Sequence, residues 1–222
     1  MYAVATCAKG RKVCVVAVQI VKLPSRSVYL GNCYLLVSGT SAALVDPTAE
    51  TSDVKRALNE YGATLTAMLL THAHYDHLSA LYDADYVSDV PLYVHEADKP
   101  ALASAKMLVA PLFGRHTPPP AHQTISVSDG DTIPLGADTI RVWHTPGHTP
   151  GAVCYSVSDR MLTGDTLFLD SIGATRFPGG DEAAIYASLA KIKHLAPAHI
   201  YPGHGPDADF AVVCADNPFL RK

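Results

Sequence analysis

Apolar and polar residues follow one another in a pattern that predicts two halves, each with strands first and helices later. Ser38-Gly39-Thr40-Ser41 is typical of a hairpin turn between two early strands. The strands predicted in the first half are Val13–Val21, Tyr29–Val37, Ala42–Val45, Leu65–Leu70 and Pro91–Val94. The helices predicted there are Thr51–Tyr61, ending at Gly62, one that opens at Leu78–Tyr82, and Glu96–Ala105.

The second half repeats this order of elements without any internal sequence repeat. Its predicted strands are Ile140–Trp143, Ala152–Val157, Met161–Leu162 and Ala198–Tyr201. The helix Asp181–Leu195 has an aspartate near its N-cap, and Ile185, Leu189 and Ile192 recur at the spacing of one apolar face. This order of strands and helices is compatible with a fold of the mixed α+β or αβ kind but does not establish one.

The most informative motif is Thr71-His72-Ala73-His74-Tyr75-Asp76-His77, which contains three histidines and an aspartate. It follows the apolar run 67–70, so these side chains are expected at the C-terminal end of a buried strand, where sites in α/β folds lie. Imidazole and carboxylate groups together suit zinc, iron and manganese. Histidines of a polar surface loop are the alternative, but this number at this spacing favours a metal site.

Three later loops each follow an apolar run and offer one more candidate ligand. His148 lies in Thr145-Pro146-Gly147-His148-Thr149-Pro150-Gly151, Asp165 in Thr163-Gly164-Asp165-Thr166, and His204 in Tyr201-Pro202-Gly203-His204-Gly205-Pro206. The glycines and prolines indicate tight turns that can direct a side chain away from a strand end. Each loop alone is a weak signal; in this order after the first motif, they are a strong one.

In this order the motifs resemble the metallo-β-lactamase fold superfamily, from about Val13 to His204. Within it the chain is most similar to the short glyoxalase II-like thioester hydrolases. The resembling segments are Gly164-Asp165-Thr166-Leu167-Phe168, Phe177-Pro178-Gly179-Gly180-Asp181, Tyr201 to Pro206, and Asn217-Pro218-Phe219-Leu220. The resemblance implies a four-layer αβ/βα sandwich with metals at one edge between the sheets.

The resemblance also implies a ligand set for two divalent metal ions, with zinc favoured and iron or manganese compatible. The implied ligands are His72, His74 and His148 for the first metal, Asp76, His77 and His204 for the second, and Asp165 as the bridge. Asp46 matches a family position beside the metal loop. It is expected either to orient a ligand histidine or to start a turn before Pro47; both remain open here.

The activity implied is hydrolysis of a small-molecule thioester, of the hydroxyacylglutathione hydrolase kind. A hydroxide held by the metals would attack the carbonyl carbon, and Asp76 would position that hydroxide as well as bind metal. A thiolate leaving group needs little help from a proton donor. No serine or cysteine nucleophile is required in this scheme.

The chain departs from its relatives where they hold glutathione. After Gly173 the relatives carry an arginine and then a carboxylate, whereas this chain has Ala174 and Arg176. The longer enzymes also add a C-terminal helical domain, and this chain ends eighteen residues after His204. Arg176 is expected either to bind substrate or to form a plain salt bridge. The loop Met107–Gln123 is expected either to cover the cleft or to connect elements rigidly.

Other activities of the same fold are alternatives. Persulfide dioxygenases bind one iron through residues that match His72, His148 and Asp165, and lactonases and phosphodiesterases share the two-metal scheme. A β-lactamase is disfavoured because two-zinc enzymes of that type usually carry cysteine where Asp165 stands. A non-enzymatic protein stabilised by metal is disfavoured because structural zinc sites usually have four ligands rich in cysteine.

The composition agrees with an enzyme that acts on small molecules. A hydrophobic content of 48% and a charged content of 17% indicate a globular chain, and 1–222 is expected to form a single domain. The net charge of −4 disfavours nucleic acid as a partner. No apolar run is long enough for a membrane span. The five scattered cysteines indicate reduced thiols and a cytoplasmic location, and the oligomeric state is left open.

Overall fold

Two six-stranded sheets lie face to face in the computed structural model, which describes residues 4–6, 12–14, 17–25, 30–82, 90–103 and 123–221. A separate antiparallel pair is formed by β1 (Val4–Thr6) and β2 (Lys12–Cys14). The first sheet comprises, in spatial order, β3 (Gln19–Leu23), β4 (Cys33–Ser38), β5 (Ser41–Val45), β6 (Thr64–Leu69), β7 (Leu92–His95) and β8 (Thr124–Val127). The second comprises β9 (Thr132–Leu135), β10 (Asp138–His144), β11 (Val153–Val157), β12 (Arg160–Gly164), β13 (His199–Pro202) and β14 (Ala208–Asp209).

Parallel pairing decides which strand ends meet. In the first sheet β5, β6, β7 and β8 run parallel to one another. In the second sheet β12 and β13 are parallel, and β10 runs in the same direction because β11 is antiparallel to both β10 and β12. The carboxyl ends of these strands therefore gather at one edge of each sheet.

Five α-helices are described, with ranges α1 (Thr51–Tyr61), α2 (Tyr75–Leu78), α3 (Lys99–Ala103), α4 (Glu182–Leu195) and α5 (Phe210–Asp216). Helix α1 ends at Gly62, which is left-handed with φ of 59°. Helix α4 begins after Asp181, whose side chain accepts a hydrogen bond from the backbone N–H of Ala184 at 2.9 Å. Short 3₁₀ turns cover Ser79–Tyr82 and Glu96–Asp98.

The alternation of side chains along the strands builds three apolar layers. On β4, Leu35 packs with the α1 residues Val54 and Ala57, whereas Tyr34 and Leu36 face the second sheet. A third cluster joins the outer face of the second sheet to α4 and α5. Helices thus cover both outer faces, and the predicted four-layer αβ/βα sandwich is confirmed.

Several boundaries differ from the sequence prediction. The predicted strand Val13–Val21 is wrong as one element, since residues 17 and 18 lie in no strand and β3 begins at Gln19. The predicted strand from Tyr29 begins only at Cys33, because Gly31 and Asn32 bond to loops instead of to a neighbouring strand. Strands β8, β9 and β14 and helix α5 were not predicted. They are short, or lie at sheet edges where the apolar pattern is weak.

Other predictions fall partly outside the described residues. These include nearly all of the loop Met107–Gln123, with Pro118-Pro119-Pro120, and the end of the helix predicted at Glu96–Ala105. Within the described ranges, no helix is both long and apolar enough to cross a membrane. Cys33, Cys154 and Cys214 are free thiols.

His199, at the start of β13, joins that strand to the segment that contains β14. Its Nδ1 lies 2.8 Å from Asp209 Oδ1 and its Nε2 lies 2.8 Å from Asp207 Oδ2. Although partial burial opposes it, these two carboxylates raise the pKa of His199 above its ordinary 6.5. The stabilisation from this contact is therefore complete below pH 6.5 and is lost as the pH rises through the raised pKa.

We predict that an NMR titration of the His199 ring gives a midpoint above 6.5. The double variant Asp207→Asn, Asp209→Asn should lower that midpoint, because both charged acceptors are lost. Asp216→Asn, an exposed change on α5, serves as the control and should leave it in place. A midpoint at or below 6.5 in the unaltered chain would contradict the contact.

Candidate metal centre

Loops at the carboxyl ends of both sheets bring together all seven residues that the resemblance implied as ligands. His72 and His74 follow β6, His148 follows β10 and Asp165 follows β12. His204 follows β13, while Asp76 and His77 lie in the short helix α2. The seven residues form three overlapping groups that could each hold a metal ion: His72, His74, His148; His72, His77, Asp165; and Asp76, His77, His204.

The first group consists of three imidazoles whose nitrogens face one another. Nδ1 of His74 lies 3.1 Å from Nε2 of His72 and 2.9 Å from Nε2 of His148. His72 and His148 are buried, with relative exposures of 1% and 4%. All three nitrogens thus point into one small space.

The group of Asp76, His77 and His204 consists of two imidazoles and a carboxylate. Nε2 of His204 lies 3.2 Å from Nε2 of His77 and 3.1 Å from Oδ2 of Asp76. Oδ2 of Asp76 lies 3.6 Å from Nε2 of His77. His77 is fully buried, whereas Asp76 and His204 are partly exposed.

Asp165 lies between the two groups. Its Oδ1 is 3.3 Å from Nε2 of His77, and its Oδ2 is 3.5 Å from Nε2 of His148 and 3.7 Å from Nε2 of His204. Oδ1 is buried and accepts no hydrogen bond. Gly203 lies against it, since a Cβ at that position would come within 2.2 Å of Oδ1.

Hydrogen bonds on the outer side of three histidines fix which nitrogen carries the proton. Nδ1 of His148 donates to the carbonyl of Ala174 at 2.9 Å, and Nδ1 of His77 lies 2.9 Å from Oδ2 of Asp46. The Thr71 hydroxyl donates to Asp46 at 2.7 Å and so accepts from Nδ1 of His72 at 3.2 Å. In its neutral form, each of these three rings therefore presents an unprotonated Nε2 to the centre.

A divalent cation fits this arrangement, because hydrogen bonds within the centre leave some of its buried acceptor atoms without a donor. Nε2 of His72 and Nε2 of His148 both carry lone pairs, and His74 can donate a proton to only one of them. One buried lone pair therefore stays without a donor, as does Oδ1 of Asp165. Unsatisfied buried acceptors are costly, and a cation shared by these atoms removes that cost.

Burial and neighbouring charges set the protonation of the centre. Burial and the neighbouring imidazoles lower the pKa of His72 well below 6.5, and burial and His148 lower the pKa of His74 to about 4. Both are therefore neutral at pH 7, the form that binds metal. Burial opposes charge on His77, but the carboxylates of Asp165, Asp46 and Asp76 outweigh it and raise its pKa. This side of the centre thus attracts positive charge.

Asp46 contributes to the orientation of ligands and does not only start a turn. Its Oδ1 accepts the backbone N–H of Thr71 at 2.8 Å, and its Oδ2 contacts both the Thr71 hydroxyl and His77. It is buried and adopts a φ of 50°, a conformation that aspartate tolerates better than most residues. The contact with His77 favours the first of the two interpretations of this residue.

The open side of the centre is flanked by aromatic rings. The ring centroid of Phe177 lies 6.3 Å from that of His74, and the ring of Phe168 lies 6.1 Å from that of His204. Phe177 is 46% exposed, and the guanidinium carbon of Arg176 lies 5.2 Å from its ring centroid. Within the described part of the chain, no carboxylate lies at ion-pair distance from Arg176. The salt bridge expected as its alternative role is therefore not observed there.

Sequence reasoning missed several residues that hold these loops. The side chain of Asn32 donates to the carbonyls of Pro202 and Gly205 beside His204. The buried side chain of Asn217 donates to the carbonyls of Phe168 and Ser171 in the loop after Asp165. Asn217 lies in a segment already recognised by resemblance, whereas nothing local marks Asn32.

Comparison with known proteins agrees with this geometry. Residues 26–204 match the family model described as the metallo-beta-lactamase superfamily. The chain is 34% identical over 196 residues to the probable metallo-hydrolase YqgX of Bacillus subtilis, a match that covers 86% of this chain and 92% of that protein. It is 33% identical over 176 residues to BaeB of Bacillus velezensis, described as a probable polyketide biosynthesis zinc-dependent hydrolase, covering 78% and 72% respectively.

Two solved structures share the fold over the full length of their chains. The structure of BLEG-1, described as a B3 metallo-beta-lactamase, is 30% identical with a TM-score of 0.80 and covers 92% of this chain. The structure of TTHA1623 in a di-iron-bound form is 32% identical with a TM-score of 0.78 and covers 90% of this chain. Similar proteins thus include both a zinc-dependent and a di-iron example.

We predict that Asp165→Asn loses bound metal and hydrolytic activity together. In Asp165 one carboxylate oxygen faces His77 and the other faces His148. The neutral amide of asparagine has only one oxygen, and its NH₂ group would face one of these histidines in place of the second oxygen. The fall in metal affinity should exceed the roughly ten- to hundredfold caused by loss of an outer contact. Elemental analysis after dialysis measures the metal retained.

Asp170→Asn, an exposed change in the same loop, is the matched control and should retain the metal of the unaltered chain. Full metal content and full activity in Asp165→Asn would exclude the bridging role.

Proposed function

The chain belongs to the metallo-beta-lactamase superfamily, and we propose that it is a metal-dependent hydrolase whose substrates are small thioesters. The observation that carries the proposal is the position of Asp165 between two candidate donor groups, with Oδ1 3.3 Å from Nε2 of His77 and Oδ2 3.5 Å from Nε2 of His148. The similarity to proteins described as probable metallo-hydrolases supports hydrolysis. The thioester preference is the finer part of the proposal and rests on the steps below.

A pair of divalent ions held by these groups would lower the pKa of bound water toward about 7 and polarise a carbonyl group. His72, His74 and His148 would hold one ion, Asp76, His77 and His204 the other, and Asp165 would contact both. Zinc suits these imidazole and carboxylate donors, and iron and manganese are compatible with them.

Asp76 is the carboxylate of the centre that can meet substrate. Its side chain is 29% exposed, against 10% for Asp165. It stands beside His204 at the open side, where it can accept a hydrogen bond from a nucleophilic water and hold that water in line with a carbonyl carbon. Its proposed role is therefore positioning of the nucleophile in addition to metal binding.

Thioesters are proposed because the side chains of the centre are all histidine and aspartate. With metal bound, the ring nitrogens of the five histidines that face the centre would be occupied, and none of the seven residues is a lysine, tyrosine or cysteine that could protonate a poor leaving group instead. A thiol has a pKa of about 8.5, so a thiolate departs without a proton. An alkoxide or amide anion would need one.

Arg176 and Phe177 are proposed to contact the substrate beside the centre. The arginine lies over the exposed phenylalanine ring, and the same ring lies close to His74. An anionic group attached to an apolar chain would satisfy both side chains at once. The substrate is therefore a thioester with a carboxylate or similar anion, and it need not contain glutathione.

A second candidate is hydrolysis of β-lactams, which the similarity to BLEG-1 favours. The centre could polarise a β-lactam carbonyl in the same way. The amine that leaves requires a proton, however, and the seven residues offer no evident donor for it. Thioesters therefore remain the first choice.

The deciding experiment is elemental analysis of the purified protein followed by a substrate panel. We expect about two zinc atoms per chain and turnover of S-lactoylglutathione or of a small acyl thioester without glutathione. Turnover of a cephalosporin but of neither thioester would favour the second candidate. One iron per chain, with oxygen uptake on glutathione persulfide, would replace hydrolysis by dioxygenase chemistry.

We predict that Arg176→Ala raises KM for an anionic thioester by up to roughly fivefold, since an exposed ion contact contributes about 0.2–1 kcal/mol. The value of kcat should change little, because Arg176 is proposed to bind the anionic group of the substrate and takes no part in the attack on the carbonyl. Steady-state kinetics with an anionic and a neutral thioester separate the two effects. Arg56→Ala on α1 is the control; an equal rise in KM for the neutral substrate would exclude recognition of charge.

A further inference from the structure

We propose that Asp98 is a positioning residue that ties the two loops of the first histidine group to each other. The proposal rests on the metal ligands named under the proposed function but does not depend on the substrate. Asp98 is not a candidate ligand, and it lies in the 3₁₀ turn after β7, outside every motif that identified the centre.

The side chain of Asp98 contacts both loops at three points. Its Oδ2 accepts the backbone N–H of Ala73 at 3.0 Å, and Ala73 stands between His72 and His74. The same oxygen accepts the hydroxyl of Thr149 at 2.9 Å. Its Oδ1 accepts the backbone N–H of Gly151 at 2.7 Å. One carboxyl group thus fixes the backbone on both sides of the gap between His74 and His148.

Close packing around Asp98 restricts movement of the loop that contains Gly151. The residue is buried, with 2% of its surface exposed. A Cβ on Gly151 would lie 2.6 Å from the carboxyl carbon of Asp98, so the loop can approach this closely only with glycine there. Shape and hydrogen bonding therefore hold the second loop at one distance from the first.

No cation accounts for this buried acid. Within the described part of the chain, Asp98 forms no ion pair. Lys99, the next residue, lies 3.2 Å from Glu96 instead, and Glu96 also accepts a hydrogen bond from Ser126. The partners of this buried carboxyl group are mainly backbone N–H groups of two separate loops. Its role is therefore to fix the positions of those loops.

A second contact aligns the same two segments. The rings of His95 and His144 stack with centroids 4.1 Å apart and planes at 8°. Nε2 of His144 also lies 2.9 Å from the carbonyl of Pro150. His95 and His144 thus join the ends of β7 and β10. Asp98, three residues after His95, connects the loops that follow β6 and β10 and carry the ligands.

Asp98 and Asp46 hold different parts of the centre. Asp46 contacts His77 and, through Thr71, the start of the first loop. Asp98 sets the separation of His74 and His148, whose facing nitrogens lie 2.9 Å apart. Loss of Asp98 should weaken the first metal position and spare the second.

The test uses Asp98→Asn in the full chain loaded with cadmium, because each bound cadmium ion gives its own NMR resonance. His148→Ala and His204→Ala assign the two resonances to the first and second positions. The Asp98→Asn change replaces one carboxylate oxygen by an NH₂ group of nearly the same volume, so a loop contact is lost without opening a cavity. Competition with a chromophoric chelator gives the metal affinity of each step.

In Asp98→Asn the new side-chain nitrogen can only donate, so it cannot replace the oxygen that accepts from Gly151 or Ala73. We expect affinity at the first position to fall about ten- to hundredfold, the usual effect of losing a contact that orients ligands. The resonance of the second position should stay in place. Thr149→Val, which removes one contact of the three, should also lower the affinity of the first position, but by less.

The matched control is Glu96→Gln, the same type of change in the same 3₁₀ turn on an exposed side chain, and it should leave both resonances unchanged. Asp46→Asn should differ from Asp98→Asn by weakening the second position, through His77, as well as the first, through Thr71 and His72. Unchanged affinities in folded Asp98→Asn and Thr149→Val, or equal losses at both positions, would overturn the proposal. Failure of every thioester assay with two intact resonances would overturn the proposed substrate and leave the role of Asp98 standing.

Discussion

Five imidazoles and two carboxylates face one another across a few ångströms. The rest of the structure holds these groups, with their unshared electron pairs, close together. Their repulsion and desolvation disfavour the arrangement unless a positive charge is shared among them. The fold offsets part of that cost by holding three of the histidine rings through contacts on their outer side. Asp46, Thr71 and the carbonyl of Ala174 fix three rings, and the apolar layers on either side fix the strands from which the loops emerge.

The two sheets supply the donors in unequal ways. The first sheet provides four of them from a single segment after β6, so their spacing is set locally. The second sheet provides three from separate loops after β10, β12 and β13, and these meet the first segment only when the sheets pack. Packing of the strands alone does not fix the positions of these loops relative to one another. Contacts between loops, such as those of Asn32 and Asp98, therefore align the ligand residues.

Much of this could be predicted from the sequence, and the physical reason differs from element to element. Helices α1 and α4 have a clear apolar period and clear ends, so their bounds were predicted closely. The donor residues were recognised because the metal's chemistry restricts them to a few residue types. Strands β9 and β14 were missed because they are only four and two residues long, which is too short for an apolar pattern to be recognised, although β9 does alternate exposed and buried side chains. Asp98 was missed because its partners are mainly backbone N–H groups, which every sequence possesses.

The contact between His148 and Ala174 tolerates a change of the side chain at position 174. The ring is oriented by a carbonyl oxygen of the main chain, and that oxygen is present whatever side chain stands at 174. The glyoxalase II-like resemblance leads one to expect arginine at this position, and alanine stands there, yet the histidine keeps its acceptor. Side chains along 174–177 are thus free to diverge and adapt the surface beside the centre to a new substrate, while the orientation of the ligand is inherited unchanged.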